Sequence, residues 1–127
     1  MDIDSFHKMI EELSEEIPDD LFRELNGGIL TLPEVKLHPQ SKKPAYYTLG
    51  EYRTQIPGLG RYIVIYYGSF VNVFGVNADT DTLRREIRKV LLHEFRHHIE
   101  SLAGEKDLMI EDEINLQKYK NLIENKE

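Results

Sequence analysis

Residues Thr82 to Gly104, TLRREIRKVLLHEFRHHIESLAG, constrain this chain more than any other stretch. The run has the periodicity of one helix and carries His93-Glu94-Phe95-Arg96-His97, an H-E-x-x-H pattern. Side chains four apart on a helix stand one above the other on the same face, so His93 and His97 can grip a single tetrahedral zinc ion. Glu94 flanks that position, where a carboxylate can take a proton from water. At about 100° per residue, Leu91, Leu92, Phe95, Ile99 and Leu102 form one apolar stripe, with His93, His97 and Glu100 on roughly the opposite side. The pattern predicts a helix with a buried back and a polar working front. His98, turned about 100° from the metal face, is expected at the surface or behind the ligands.

Composition narrows the partners. A chain of 127 residues is long enough for one domain with its own core, taken here as residues 1–127, and 40% apolar with 31% charged residues is ordinary for a globular protein. The net charge is −7, with Lys and Arg scattered, which argues against nucleic acid as a partner because phosphate binding needs a basic patch. Cysteine is absent, so disulfides and thiolate metal sites are excluded, and a cytoplasmic location is expected. The opening MDIDSFHKMIEELSEE is acidic and amphipathic, unlike a signal peptide, and no stretch is long and apolar enough to span a membrane.

Taken in order, Asp4 to Glu16 reads as a helix with Phe6, Met9, Ile10, Leu13 and Ile17 at helical spacing and Asp4 or Ser5 as cap. Pro18 opens a short second helix, DDLFREL, closed by Asn26-Gly27-Gly28. Ile29 to Leu32 is a strand extending toward Leu37, followed by a loop, KLHPQSKKPAYY. Tyr46 to Thr54 is a weaker strand. Arg61 to Tyr67, RYIVIYY, is the strongest, broken by Gly68 and Ser69. Phe70 to Phe74 is either a strand or a helical turn. Asn77 to Asp81 is a loop, with Asp81 or Thr82 capping the helix that follows. Asp107 to about Asn125 reads as a last helix. The fold class is α+β: N-terminal helices, a small mixed sheet, the H-E-x-x-H helix and a C-terminal helix.

This order resembles the zincins, and more closely the small bacterial zincin-like metallopeptidase family, long catalogued as a domain of unknown function. The resemblance rests on the acidic first helix, Pro18-Asp19-Asp20-Leu21, the strand RYIVIYYG and Val90-Leu91-Leu92-His93-Glu94-Phe95-Arg96-His97-His98. It implies a compact zincin fold with an edge strand beside the zinc, along which a peptide could lie. The commoner form of the family continues H-E-x-x-H-x-x-G-x-x-D, with the Asp closing the zinc site. Here those last two positions are Glu100 and Ala103, and alanine cannot ligate a metal.

The expected activity is zinc-dependent hydrolysis of a peptide bond in a peptide or protein substrate. His93 and His97 are the metal ligands, Zn2+ the cofactor, and Glu94 the general base. Glu100 either accepts an imidazole N–H or is a solvated charge beside Arg96. The third ligand is assigned to Asp112, with Glu111 the runner-up, ahead of Glu113 and Asp107. A helix folding back from Gly104 brings residues 110–113 level with the zinc, and Asp112 falls near the middle of the face formed by Leu108, Met109, Leu116, Tyr119, Leu122 and Ile123. Two other classes fit the same residues: a non-catalytic zinc-binding or interaction module with the same fold, and a structural domain without metal. Among the tyrosines no catalytic hydroxyl can be chosen.

Overall fold

The computed structural model describes residues 1–37, 47–56 and 60–104. Helix α1 (Ile3–Ser14) buries Phe6, Met9, Ile10 and Leu13 on one stripe. Its cap is Asp2 rather than Asp4 or Ser5: the Asp2 carboxylate accepts the Ser5 N–H at 2.8 Å, earlier in the chain than the apolar spacing suggests. A short 3-10 turn (Asp19–Phe22) follows and buries Leu21, and Glu24 turns the chain at a φ of 61°.

The sheet has three strands, β1 (Gly28–Leu32), β2 (Gly50–Ile56) and β3 (Gly60–Tyr66), in the order β1-β3-β2. Strand β3 is central, parallel to β1 and antiparallel to β2, so the sheet is mixed. Alternation along β3 sends Ile63 and Ile65 into the core shared with the helices, and Tyr62, Val64 and Tyr66 to the other face with Leu30 and Leu32. This two-sided burial explains why RYIVIYY reads so strongly as a strand.

Strand β3 ends at Tyr66, one residue earlier than expected, and Gly68 and Ser69 follow the break. Both lie in helix α2 (Tyr67–Phe74), which also resolves the ambiguous Phe70–Phe74 run as helix. Gly68 is there for close approach: a Cβ would lie 2.6 Å from the Pro33 carbonyl oxygen. The buried Ser69 hydroxyl accepts the Lys36 N–H at 2.9 Å and so ties α2 to the segment after β1.

Helix α3 (Thr80–Ala103) is the longest element among the described residues. Asp79, not Asp81 or Thr82, caps it, accepting both the backbone N–H and the hydroxyl of Thr82. It ends at Gly104, as its sequence predicts. Its buried face holds Leu83, Ile87, Leu91, Leu92, Phe95, Ile99 and Leu102, with Phe95 meeting Phe22 edge to face at 5.0 Å. No helix among the described residues is long and apolar enough to cross a membrane.

Helix α3 crosses the sheet on β2, and Gly50 sets how closely. A Cβ at Gly50 would lie 2.6 Å from Val90 Cγ1 and 3.2 Å from both Ile65 Cδ1 and the Val64 carbonyl oxygen. Gly50→Ala should therefore destabilise the protein by about 1–3 kcal/mol through overpacking. Val90→Ala in the same chain should recover most of that loss, measured by denaturant titration; an additive double variant would contradict the contact.

Candidate metal centre

The polar front of α3 faces β2. His93 and His97 lie toward solvent, whereas Glu94 beside them is only 6% exposed. An open groove of about 720 Å³ runs between helix and strand, lined by His93, Glu94, His97, Glu100 and Ser101 on one wall and Gly50, Glu51, Tyr52 and Thr54 on the other. A second cavity of about 330 Å³ adjoins it at Gly50, His93 and Glu94 and extends toward Tyr47, Leu49, Lys89 and Val90.

The two imidazoles converge, with His93 Nε2 and His97 Nε2 3.1 Å apart. Zinc–imidazole bonds of about 2.0–2.1 Å place two ligands of a tetrahedron roughly 3.3 Å apart, so the pair already stands at ligand spacing and the donor set suits zinc. Among the described residues no group of three or more His, Asp or Glu side chains gathers at metal-holding distance. Asp112 and Glu111, the expected third ligand and its runner-up, lie outside the described residues, as does the expected helix from Asp107 to Asn125.

Arg96 donates to His93 Nδ1 at 3.0 Å. Arginine cannot accept, so Nδ1 is the acceptor here and the proton of the neutral imidazole lies on Nε2, directed to His97; for Nε2 to hold a metal that proton must move to Nδ1 and the Arg96 bond must open. A guanidinium this close to His93 would repel a cation held there. Arg96→Ala should therefore tighten metal binding several-fold in a competition titration; an unchanged or weaker affinity would show that Arg96 does not oppose the metal.

Burial pushes the Glu94 carboxyl up to about 7; the charge of Glu51 adds to the shift and Arg96 opposes it. Glu51 itself is fully engaged. Burial works against its charge, but hydrogen bonds from Lys36 and Tyr66 and the charge of Arg53 outweigh this and hold its carboxyl below the usual range. Arg53 lies 2.8 Å from one Glu51 oxygen, while the Tyr66 hydroxyl, at 2.8 Å, and Lys36 share the other. A depressed carboxylate pKa stabilises the fold above the unfolded pKa, and that contribution disappears as pH falls through the folded one. Glu51→Gln should cost about 1–3 kcal/mol at pH 7, and the difference from the parent should shrink as pH drops below the ordinary carboxylate range. A difference constant with pH would remove the charge from the explanation.

His98 is not at the surface. It is completely buried, with Nδ1 2.7 Å from the Tyr52 hydroxyl and Nε2 2.8 Å from the Arg23 carbonyl. The helical wheel turns it away from His93 and His97 correctly, but no local pattern shows that Tyr52 and Arg23 wait there. Tyr52 is the tyrosine that reaches the groove wall next to the H-E-x-x-H helix, and Ser101, without a role from sequence, borders the same groove.

Among the described residues, strand β2 has an open edge. The Leu49 carbonyl accepts from Tyr66 N at 2.9 Å, so by antiparallel alternation Glu51 and Arg53 bond toward β3 while the main-chain groups of Gly50 and Tyr52 point outward. Thr48 also points outward, and its N–H is taken by the Lys36 carbonyl at 2.8 Å. No described strand pairs with β2 beyond that point.

Comparison with known proteins agrees with this geometry. Residues 44–115, more than half of the chain, match the zincin-like metallopeptidase family. A solved structure of a conserved hypothetical protein from Thermo thermophilus is similar, with 39% sequence identity, a TM-score of 0.69, and coverage of 80% of this chain and 96% of that one. No curated protein matches. A family match over this length, together with a helix that turns its H-E-x-x-H side chains toward an edge strand, settles the relationship: the chain belongs to the zincin-like metallopeptidase family.

Proposed function

We propose that this protein is a zinc-dependent peptidase acting on a peptide or protein substrate, in the cytoplasm as its cysteine-free composition suits. The observation that carries the reading is the convergence of His93 Nε2 and His97 Nε2 at 3.1 Å beside a buried Glu94. His93 and His97 hold the zinc as neutral imidazoles, and a carboxylate, Asp112 or else Glu111, completes the set. Bound zinc supplies Lewis acidity, polarising a carbonyl and acidifying water. Glu94 accepts the proton of the attacking water and returns it to the leaving amine. The outward main-chain groups of Gly50 and Tyr52 pair with an extended substrate, holding its scissile bond against the helix. Lys36 and Arg53 keep Glu51 ionised and engaged, so that it does not compete for the proton handled by Glu94.

The second reading is a zinc-binding module without hydrolytic activity, favoured by Ala103 at the position where the family resemblance implies a ligating Asp. Incubation of the zinc-loaded protein with a mixed peptide library separates the two. New termini that disappear on chelation and return with zinc support the peptidase; zinc bound at one per chain with no cleavage supports the module.

A further inference from the structure

His98 carries out no step of the reaction above, yet it is fully buried with both ring nitrogens bonded. A buried imidazole is costly unless both nitrogens are satisfied, so its partners are part of the design. The Arg23 carbonyl can only accept, which puts the His98 proton on Nε2. Nδ1 must then accept, and the Tyr52 O–H donates to it. The Tyr52 hydroxyl hydrogen is thereby committed inward. The phenol oxygen also faces Ser101 and Arg61, whose hydrogen bonds favour the ionised phenol, so this hydroxyl is not a donor to a developing oxyanion.

The bonds join three parts of the chain at one point: α3 through His98, edge strand β2 through Tyr52, and the segment after the 3-10 turn through Arg23. Another close contact of α3 with β2 is Val90 over Gly50. Val90 and His98 are eight residues apart, roughly 12 Å along the helix, and His93 and His97 lie between these two fixed points. The Gly50 contact sets distance only, because it is apolar and non-directional. The Tyr52–His98–Arg23 bonds are directional and set rotation. With His98 turned inward, His97 is carried about 100° around toward the groove, and His93 follows one turn below it.

We propose that His98 and Tyr52 are positioning residues for the metal centre: a polar clamp that fixes the rotation of α3 against the edge strand and with it the spacing of the His93 and His97 nitrogens. The inference rests on these two histidines as the metal-holding pair.

Titration of the full chain with Co2+, followed by its visible absorption, tests the clamp. Tyr52→Phe keeps the ring and removes one hydroxyl; it should weaken Co2+ binding by about 10-fold or more, the scale for groups that orient metal ligands, and shift the absorption bands. His98→Leu should do at least as much, and the double variant should fall short of the sum of the two single losses, since both changes break the Tyr52–His98 link. His98→Asn, which keeps an acceptor near the Nδ1 position, should recover part of the loss. A role in packing alone would lower the thermal midpoint while leaving the affinity and spectrum of the folded protein at parental values, and that result in Tyr52→Phe overturns the proposal even if His98→Leu fails to fold. A parent chain that binds no Co2+ overturns the assignment of His93 and His97 as well, so the two failures are told apart.

Discussion

Glu94→Gln should leave the metal content of the protein intact while peptide hydrolysis falls by a factor of about 10² to 10⁴. The substitution preserves shape and hydrogen-bonding capacity at a site only 6% exposed, so the fold has little reason to change. It removes the ability to carry a proton. Glu94 is the buried carboxylate beside the two imidazoles, on the same groove wall, and the converging nitrogens belong to the histidines rather than to it. Loss of activity with metal retained is the signature of a proton carrier, and parallel loss of both would make Glu94 a ligand instead. Undiminished hydrolysis would take Glu94 out of the mechanism.

The H-E-x-x-H helix is legible in the sequence because its signals are local. Residues four apart, an apolar stripe at helical period and a terminal glycine all act within one element, and each needs only the α-helical repeat to be interpreted. Its first turn is less legible, since Asp79, Asp81 and Thr82 all have capping chemistry and only the geometry shows which one does it. Gly68 reads as the end of the strand RYIVIYY, and the strand does end before it, but nothing local shows that it sits in α2 and admits the backbone of Pro33 and Glu34 there. That reason lies in another part of the chain. The same holds for the site's surroundings. His98, Tyr52 and Arg23 are brought together by the packing of α3 on β2, and no spacing in the chain announces it. Nor does spacing show that Lys36 and Leu37 return to pair beside Tyr47 and Thr48, so that along the described part of β2 the open edge falls at Gly50 and Tyr52. The strand RYIVIYY is clear in kind, but its place at the centre of a mixed sheet follows from which neighbours it finds.

His93→Ala and His97→Ala are expected to have the largest effect on the metal itself. A binding free energy of about 10–16 kcal/mol shared over three protein ligands is on the order of 4 kcal/mol each, so losing one imidazole weakens binding roughly 10³-fold before any rearrangement. The remaining imidazole loses its partner at 3.1 Å. The variants are informative because neither histidine belongs to the buried core, and each replacement should fold like the parent. The most direct measurement is the zinc content of purified parent, His93→Ala and His97→Ala proteins after identical dialysis, with circular dichroism to confirm the fold. The account predicts about one zinc per chain in the parent, as expected for a site of this donor type, and strongly reduced zinc in both folded variants; parental stoichiometry in both would place the metal elsewhere and contradict it.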